Sequence, residues 1–305
     1  MRIISVLVLG LILLGCKVDG NKGADQKLRI VCTTSMISDG IQNIVTDDIE
    51  VLSLMGAGVD PHLYDPRPSD LKALDKADVI IYNGFHLEGK FIDKFEKLRK
   101  GKTIIALSDF VKEKGIINPD FVNSVDPHFW HNPLYWSQAL NGASLVLQQI
   151  AKENSAQIKE NTAVYSAQIE KAYQEIKEDM LRIPEENRIL ITSHDAFHYF
   201  GNCYGLKIKP LQGISTLSES GLKQVSDLAQ FIIKNKVPSI FVESSVSYRS
   251  LESVQQNCAA QGYTVKIAEE LFSDALGEVG GVGGTYLGML RENAKRIKKG
   301  LSHEK

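Results

Sequence analysis

Cysteine is scarce, and four residues in a chain of 305 cannot be the framework of a disulfide-stapled fold. Neither sign of charge is in excess. Lys and Arg number 35 against 37 Asp and Glu, and the net charge of −2 gives nucleic acid no electrostatic reason to bind. Near-balanced charge with 43% hydrophobic residues also excludes wholesale disorder. No CxxC pair occurs, which argues against a thiolate metal site. Long apolar runs are missing after the first 15 residues, so no helix with the ~20 apolar residues needed to span a bilayer is expected. What remains is ordinary globular material, and at ~100–200 residues per domain the length suits two cores.

The N-terminus sets an address. Arg2 precedes Ile3–Leu14, broken only by Ser5 and Gly10, which is too short to span a membrane and suits the core of a signal peptide. Leu13-Leu14-Gly15-Cys16 resembles the bacterial lipobox. That resemblance implies a lipoprotein signal over 1–15, cleavage before Cys16 and lipid on Cys16. The polar stretch up to Lys27 then reads as a tether over 16–27. Three further cysteines, Cys32, Cys203 and Cys258, allow at most one bridge and read as small buried hydrophobes.

From Leu28 onward, short β-branched runs alternate with amphipathic ones. Strands are expected at Leu28–Thr34, Ile49–Met55, Ala77–Tyr82 and Thr103–Leu107, with helices at Asp39–Val45, Ser69–Ala77 and Leu87–Arg99. A second set of strands is expected at Arg188–Thr192, Ile208–Leu211, Ser239–Val242 and Thr264–Ile267. Its helices are Asp195–Tyr204, Glu219–Asn235, Tyr248–Gln261 and Tyr286–Lys299. Such alternation implies an α/β fold with two lobes, each a four-stranded mostly parallel sheet flanked by helices. Between them Ile158, Thr162, Tyr165, Ile169, Ala172, Ile176 and Met180 recur at steps of three and four. A helix from Asn154 to Arg182 would be about 43 Å long and would act as a spine joining the lobes. The apolar seam is too short and mixed to favour a coiled-coil dimer arm. The expected division is 28–153 for the first lobe, 154–183 for the linking helix and 184–305 for the second lobe.

Seven histidines occur, and two share one setting: Asp60-Pro61-His62 and Asp126-Pro127-His128. Proline stiffens each turn and biases the preceding Asp toward extended backbone. His194, in Ser193-His194-Asp195, follows the fifth strand, and Asp274 follows the last. Ligands of open α/β sheets bind outside the carboxyl ends of the strands. His194 is expected at a helix N-terminus, where the dipole disfavours imidazolium and leaves a lone pair for a metal. Three imidazoles and one carboxylate, two from each lobe, would suit Zn²⁺, Mn²⁺ or Fe²⁺ and are too rich in nitrogen for Ca²⁺ or Mg²⁺. Each residue also has a plainer reading, as a hydrogen-bonded core or rim histidine, or for Asp274 a helix cap.

Six segments in order resemble one family. They are Gly58-Val59-Asp60-Pro61-His62-Leu63-Tyr64, Tyr82-Asn83-Gly84-Phe85-His86-Leu87-Glu88, Asp126-Pro127-His128-Phe129-Trp130, Ser193-His194-Asp195-Ala196-Phe197, Phe241-Val242-Glu243-Ser244-Ser245 and Leu271-Phe272-Ser273-Asp274-Ala275-Leu276-Gly277. The chain resembles the zinc- and manganese-binding lipoproteins of bacterial ABC importers, the cluster A-I solute-binding proteins, and most closely TroA-like members. The resemblance implies His62, His128, His194 and Asp274 as metal ligands, and two lobes on one long helix. It implies an ABC-transporter permease and its ATPase as partners. It also implies a monomer held at the bacterial cell membrane by lipidated Cys16, on the periplasmic or extracytoplasmic side. Many dedicated zinc carriers have a histidine-rich loop before the second ligand, which Phe110–Val125 lacks, and manganese carriers often place a glutamate where this chain has His194.

The other histidines receive lesser roles. His86 is read as packing, His131 as a reserve ligand and His198 as a rim or packing residue. No glutamate stands between His194 and His198 as a metalloprotease base would, and His303 is assigned nothing. Glu243 is placed either to orient a ligand imidazole or to make a structural hydrogen bond. The glycines at 280, 281, 283 and 284 lack phosphate-loop spacing and read as a turn before the last helix. The expected function is capture of one divalent transition metal as cargo, without catalysis. A secreted metallohydrolase and an adhesin with a structural metal are the alternatives. No HExxH motif or clear nucleophile supports the first, and no repeat supports the second.

Overall fold

Among the described residues the architecture follows from eight short strands, most of them β-branched and buried on both faces, as parallel sheets covered by helices require. The structure is a computed structural model and describes residues 27–111, 125–217 and 220–302. The signal expected over 1–15, the tether expected over 16–27 apart from Lys27, Cys16, the helix start expected at Glu219, His303 and most of the Phe110–Val125 loop lie outside the described residues.

In the first lobe β1 (Arg29–Cys32), β2 (Glu50–Ser53), β3 (Val79–Tyr82) and β4 (Thr103–Ala106) form one parallel sheet in the order β2-β1-β3-β4. Ile30 stands opposite Val51 and Val79, and Ile80 opposite Ile104. The order reverses between β1 and β3, which opens a crevice at the carboxyl ends of the strands. Helices α1 (Ser35–Gln42), α2 (Pro68–Lys76) and α3 (Ile92–Leu98) cover the faces. Each starts or ends a few residues away from the sequence expectation. In α2 the start is set by Pro68 in the first turn, and the Arg67 N–H donates to the Asp70 carboxylate at 2.7 Å.

One helix is not anticipated by the sequence reading. α4 (Pro133–Ile150) begins at an Asn132 cap whose side chain accepts from the N–H groups of Leu134 and Tyr135. It buries Trp136, Leu140, Ala143 and Leu147. The Asn-Pro start and the three-to-four spacing are present in the sequence, but the stripe is fronted by small residues and reads weakly. α4 packs along α5 (Ser155–Leu181), where the buried Ser144 and Thr162 hydroxyls meet at 2.7 Å. α5 is the expected spine: 27 residues, about 40 Å long, burying the same seven side chains that the periodicity marks.

The second lobe holds β5 (Ile189–Thr192) beside β6 (Lys207–Pro210), and β7 (Ser239–Ile240) beside β8 (Lys266–Ile267), all parallel. A bridge between Thr192 and Phe241 joins the pairs, with the Phe241 N–H donating to the Ile191 carbonyl at 2.9 Å. The strand order is therefore β6-β5-β7-β8, in two ladders with a narrow seam. β7 and β8 are shorter than expected because the chain beyond Ile240 shares its backbone between two neighbours. Phe241 binds β5, while the Val242 carbonyl accepts from Leu271 at 2.8 Å. Helices α6 (His198–Tyr204), α7 (Leu222–Asn235), α8 (Arg249–Ala260) and α9 (Tyr286–Leu301) complete the lobe. The glycine-rich segment before α9 forms tight turns, with Gly277 donating to Gly283 and Gly281 to Glu278. Cys32, Cys203 and Cys258 are free thiols, the first and last buried and Cys203 half-buried. Among the described residues no helix is long and apolar enough to cross a membrane.

One buried apolar cluster runs from Ile30 and Trp136 through Ile169 on the spine to Phe197, Tyr286 and Ile297. Separate clusters underlie the outer face of each sheet. The lobes thus share a core through α5. The N-terminus of α9 also crosses to the first lobe, where the Tyr286 N–H and the Tyr165 hydroxyl both donate to the Asp39 carboxylate.

Close packing reverses an ordinary helix rule at Gly142 in α4. Alanine normally stabilises a helix by about 1 kcal/mol over glycine. A Cβ at Gly142 would lie 2.1 Å from the Phe110 ring, so Gly142→Ala should lower stability by about 1–2 kcal/mol net. Urea unfolding checks this; a raised midpoint would show that the ring moves freely aside.

Candidate metal centre

His62, His128, His194 and Asp274 converge at the crevice between the lobes, each offering a donor atom within 4.8 Å of all the others. His62 follows β2, and His128 precedes α4, on the first lobe. His194 follows β5, and Asp274 lies just past the Glu243–Leu271 bridge on the second. His62 Nε2 is 3.2 Å from His128 Nε2 and 3.9 Å from Asp274 Oδ2. His128 Nε2 is 3.5 Å from Asp274 Oδ1, and His194 Nε2 is 3.1 Å from Asp274 Oδ2. Donors about 2.0–2.1 Å from a tetrahedral centre stand about 3.3–3.4 Å apart, which is the middle of this range. Both Asp274 oxygens and His194 Nε2 are buried without a hydrogen-bond partner among the described residues. Their nearest polar neighbours are the other members of the same group, with His194 Nε2 closest to Asp274 Oδ2.

Each candidate donor is held from behind. The Asp126 carboxylate accepts the His128 backbone N–H at 2.9 Å and meets the ring Nδ1 at 2.7 Å, so Nδ1 carries the proton and Nε2 keeps its lone pair inward. Asn83 Nδ2 donates to the Pro127 carbonyl at 2.9 Å, and the Tyr199 hydroxyl of the opposite lobe donates to the Asp126 carbonyl at 3.0 Å. Glu243 acts likewise on His194, accepting its backbone N–H at 2.9 Å and facing its Nδ1 at 2.5 Å. The Asp274 turn is held by Trp130 Nε1 donating to the Ser273 carbonyl at 2.9 Å and by the Leu276 N–H donating to Ser35 Oγ at 2.9 Å. Asp60 accepts the His62 N–H at 2.8 Å.

Burial and charge compete at these groups. Burial pushes His62 down to about 3, only partly countered by Asp274. Burial also opposes imidazolium at His194, yet Asp274 and then Glu243 outweigh it and push its pKa well above 6.5. For Asp274, burial favours the neutral acid, but the imidazoles, His194 foremost, hold it well below the usual carboxylate range. Without metal, the centre is therefore a buried imidazolium at His194 between two carboxylates.

Several expectations need correction. His194 does not open a helix: α6 begins four residues later, and Asp195 N–H is taken by the Gly213 carbonyl at 3.2 Å, so no helix dipole acts on it. His131 is buried, stacked on Phe197 at 4.5 Å and pushed by burial to about 3, outside the donor group. His86 does not pack; it is exposed in a left-handed run with Gly84 and Phe85. His198 needs no correction: it sits partly exposed against Asp195 at 2.7 Å, in one of the two positions expected of it, the rim. The orienting role of Asp126 escapes the sequence reading, although its signal, the twin Asp-Pro-His turn, is plain in the chain.

Two α/β lobes on a helical spine, with a buried nitrogen-rich donor group between them, define a solute-binding protein for a transition-metal ion. Residues 30–300 match the family described as zinc-uptake complex component A, periplasmic (ZnuA), and the chain belongs to that family. It is 38% identical over 298 residues to the manganese-binding lipoprotein MntA of Bacillus subtilis (strain 168), covering 97% of each chain. It is 36% identical over 299 residues to the zinc-binding protein TroA of Treponema pallidum (strain Nichols), again covering 97% of each. A solved structure of the periplasmic zinc-binding protein TroA from Treponema pallidum aligns with a TM-score of 0.88, covering 91% of this chain and 100% of that one.

Proposed function

We propose that the chain is the metal-capturing receptor of an ABC importer, taking one divalent transition-metal ion as cargo and passing it to a permease driven by an ATPase. The observation that carries this reading is the convergence of three imidazoles and one carboxylate from both lobes on one buried point. His62, His128, His194 and Asp274 are the proposed ligands. Four protein donors close the coordination sphere, which suits holding an ion and leaves no position for an activated water, so the chain is a carrier and not an enzyme. The donors accept Zn²⁺, Mn²⁺ or Fe²⁺, and affinity alone does not select among them because Zn²⁺ outbinds the other two at most such sites. One copy supplies the full donor set, so the working unit is a monomer. It is divided into a first lobe over 28–153, a linking helix over 154–183 and a second lobe over 184–305. Lipid on Cys16 would hold it at the extracytoplasmic face of the bacterial membrane.

The test is metal content by mass spectrometry on protein purified from its own cells without chelator, beside His128→Ala. About one equivalent of metal in the parent, absent from the variant, is expected. A parent that is metal-free and also refuses added Zn²⁺ and Mn²⁺ would overturn the assignment.

A further inference from the structure

The two Asp-Pro-His turns have the same sequence and are wired differently. In the inner turn Asp126 is fully buried, and one carboxylate oxygen serves both the backbone and the ring of His128. In the outer turn, among the described residues, Asp60 Oδ1 accepts only the His62 backbone N–H, while Oδ2 accepts the Thr216 hydroxyl of the opposite lobe at 2.6 Å. Among the described residues no carboxylate meets Nδ1 of His62. His62 is also the most exposed of the four donors, at 9% against 0–1% for the others.

Thr216 stands on a segment tied to the His194 loop. Leu211 N–H donates to Thr192, Gln212 N–H to Ser193, and Asp195 N–H to Gly213. Hydrogen bonds from the His194 loop to residues 211–213, the short chain from Gly213 to Thr216 and the Thr216–Asp60 contact therefore lead to the backbone of His62. This path crosses the cleft at one hydroxyl–carboxylate contact.

We propose that the Thr216–Asp60 contact is a latch that couples closure of the lobes to the seating of His62, which makes His62 the first ligand to leave and the last to engage. His128 and His194 are oriented by buried carboxylates and stay in place when the lobes part. His62 is oriented through Asp60, and Asp60 is held by Thr216, so separation at the rim frees this ligand before the others. The inference rests on the metal-carrier reading above and adds to it a control on release. Thr216 is a positioning residue: it touches Asp60 and not the cargo.

The test uses the metal-loaded full chain and stopped-flow release of Mn²⁺ and of Zn²⁺ into excess chelator, with association measured separately. Thr216→Val keeps the branched shape and removes the hydroxyl, and Thr216→Ala serves as a second variant. A lost hydrogen bond to a charged group should raise the release rate about tenfold with association changed less than about twofold. Thr216→Ser should restore slow release. Release from both the valine and alanine variants within about twofold of the parent, with one metal still bound, would overturn the latch and leave the carrier reading intact. Equal acceleration in the serine variant would overturn it as well, since the hydroxyl would not be responsible. A parent that binds no metal would overturn the carrier reading itself, and the latch with it.

Discussion

Replacing Asp274 by alanine is expected to weaken metal binding by roughly 150- to 4,000-fold. Asp274 supplies the only negative charge among the four donors and is almost fully buried. Breaking a buried charge pair by removing one partner costs about 3–5 kcal/mol, which corresponds to that loss of affinity. Both of its oxygens face the other donors, so no rotation of a neighbour can replace it. Asparagine in its place would keep the shape and an oxygen while losing the charge, and should recover little of the affinity. Chelator competition measures both variants. An alanine chain that binds within tenfold of the parent would remove Asp274 from the ligand set.

Affinity should also fall about tenfold for each pH unit below neutrality, or about 100-fold between pH 7 and pH 5. The responsible proton is on His194. Its pKa in the metal-free chain lies well above 6.5, so across this window the metal must displace one proton from Nε2. His62, pushed to about 3, is already neutral there and adds nothing until far more acidic solution. Asp274, held below the usual carboxylate range, stays ionised. Calorimetric titration in two buffers of different ionisation enthalpy should report about one proton released per metal at pH 6. Affinity that is flat from pH 5 to pH 7 would contradict the imidazolium at His194.

The same groups give the metal-free chain its own pH dependence, with the opposite sign near neutrality. A raised histidine pKa stabilises the fold below its unfolded value, and that contribution is lost as pH rises through the folded value. The depressed Asp274 pKa stabilises above its unfolded value and is lost as pH falls. Metal loading replaces the imidazolium, so the loaded chain should gain stability as pH rises from 5 to 7 through mass action.

Elements of strong local character are legible in the sequence. Spacing marks the seven buried positions of the spine, because a helix with one apolar face imposes a 3.6-residue period wherever it packs. The parallel sheets are legible because strands buried on both faces must be apolar throughout. α4 is not, since its packing against α5 relies on small residues such as Ala139 and Ala143, which carry little signal of their own. The short extent of β7 and β8 also escapes, because where a strand leaves its ladder depends on its neighbours.

The sequence by itself determined the two-lobed α/β plan, the helical spine and, through six ordered motifs, the four candidate donors and the family resemblance. These are properties of local pattern, carried by residue type and spacing. Tertiary structure alone decided which carboxylate stands behind which imidazole, that His194 is charged by Asp274 and Glu243 and touched by no helix dipole, and that Thr216 meets Asp60 across 156 positions of chain. Such contacts form between segments distant in sequence, and their strength depends on burial, which exists only once the lobes have closed on one another.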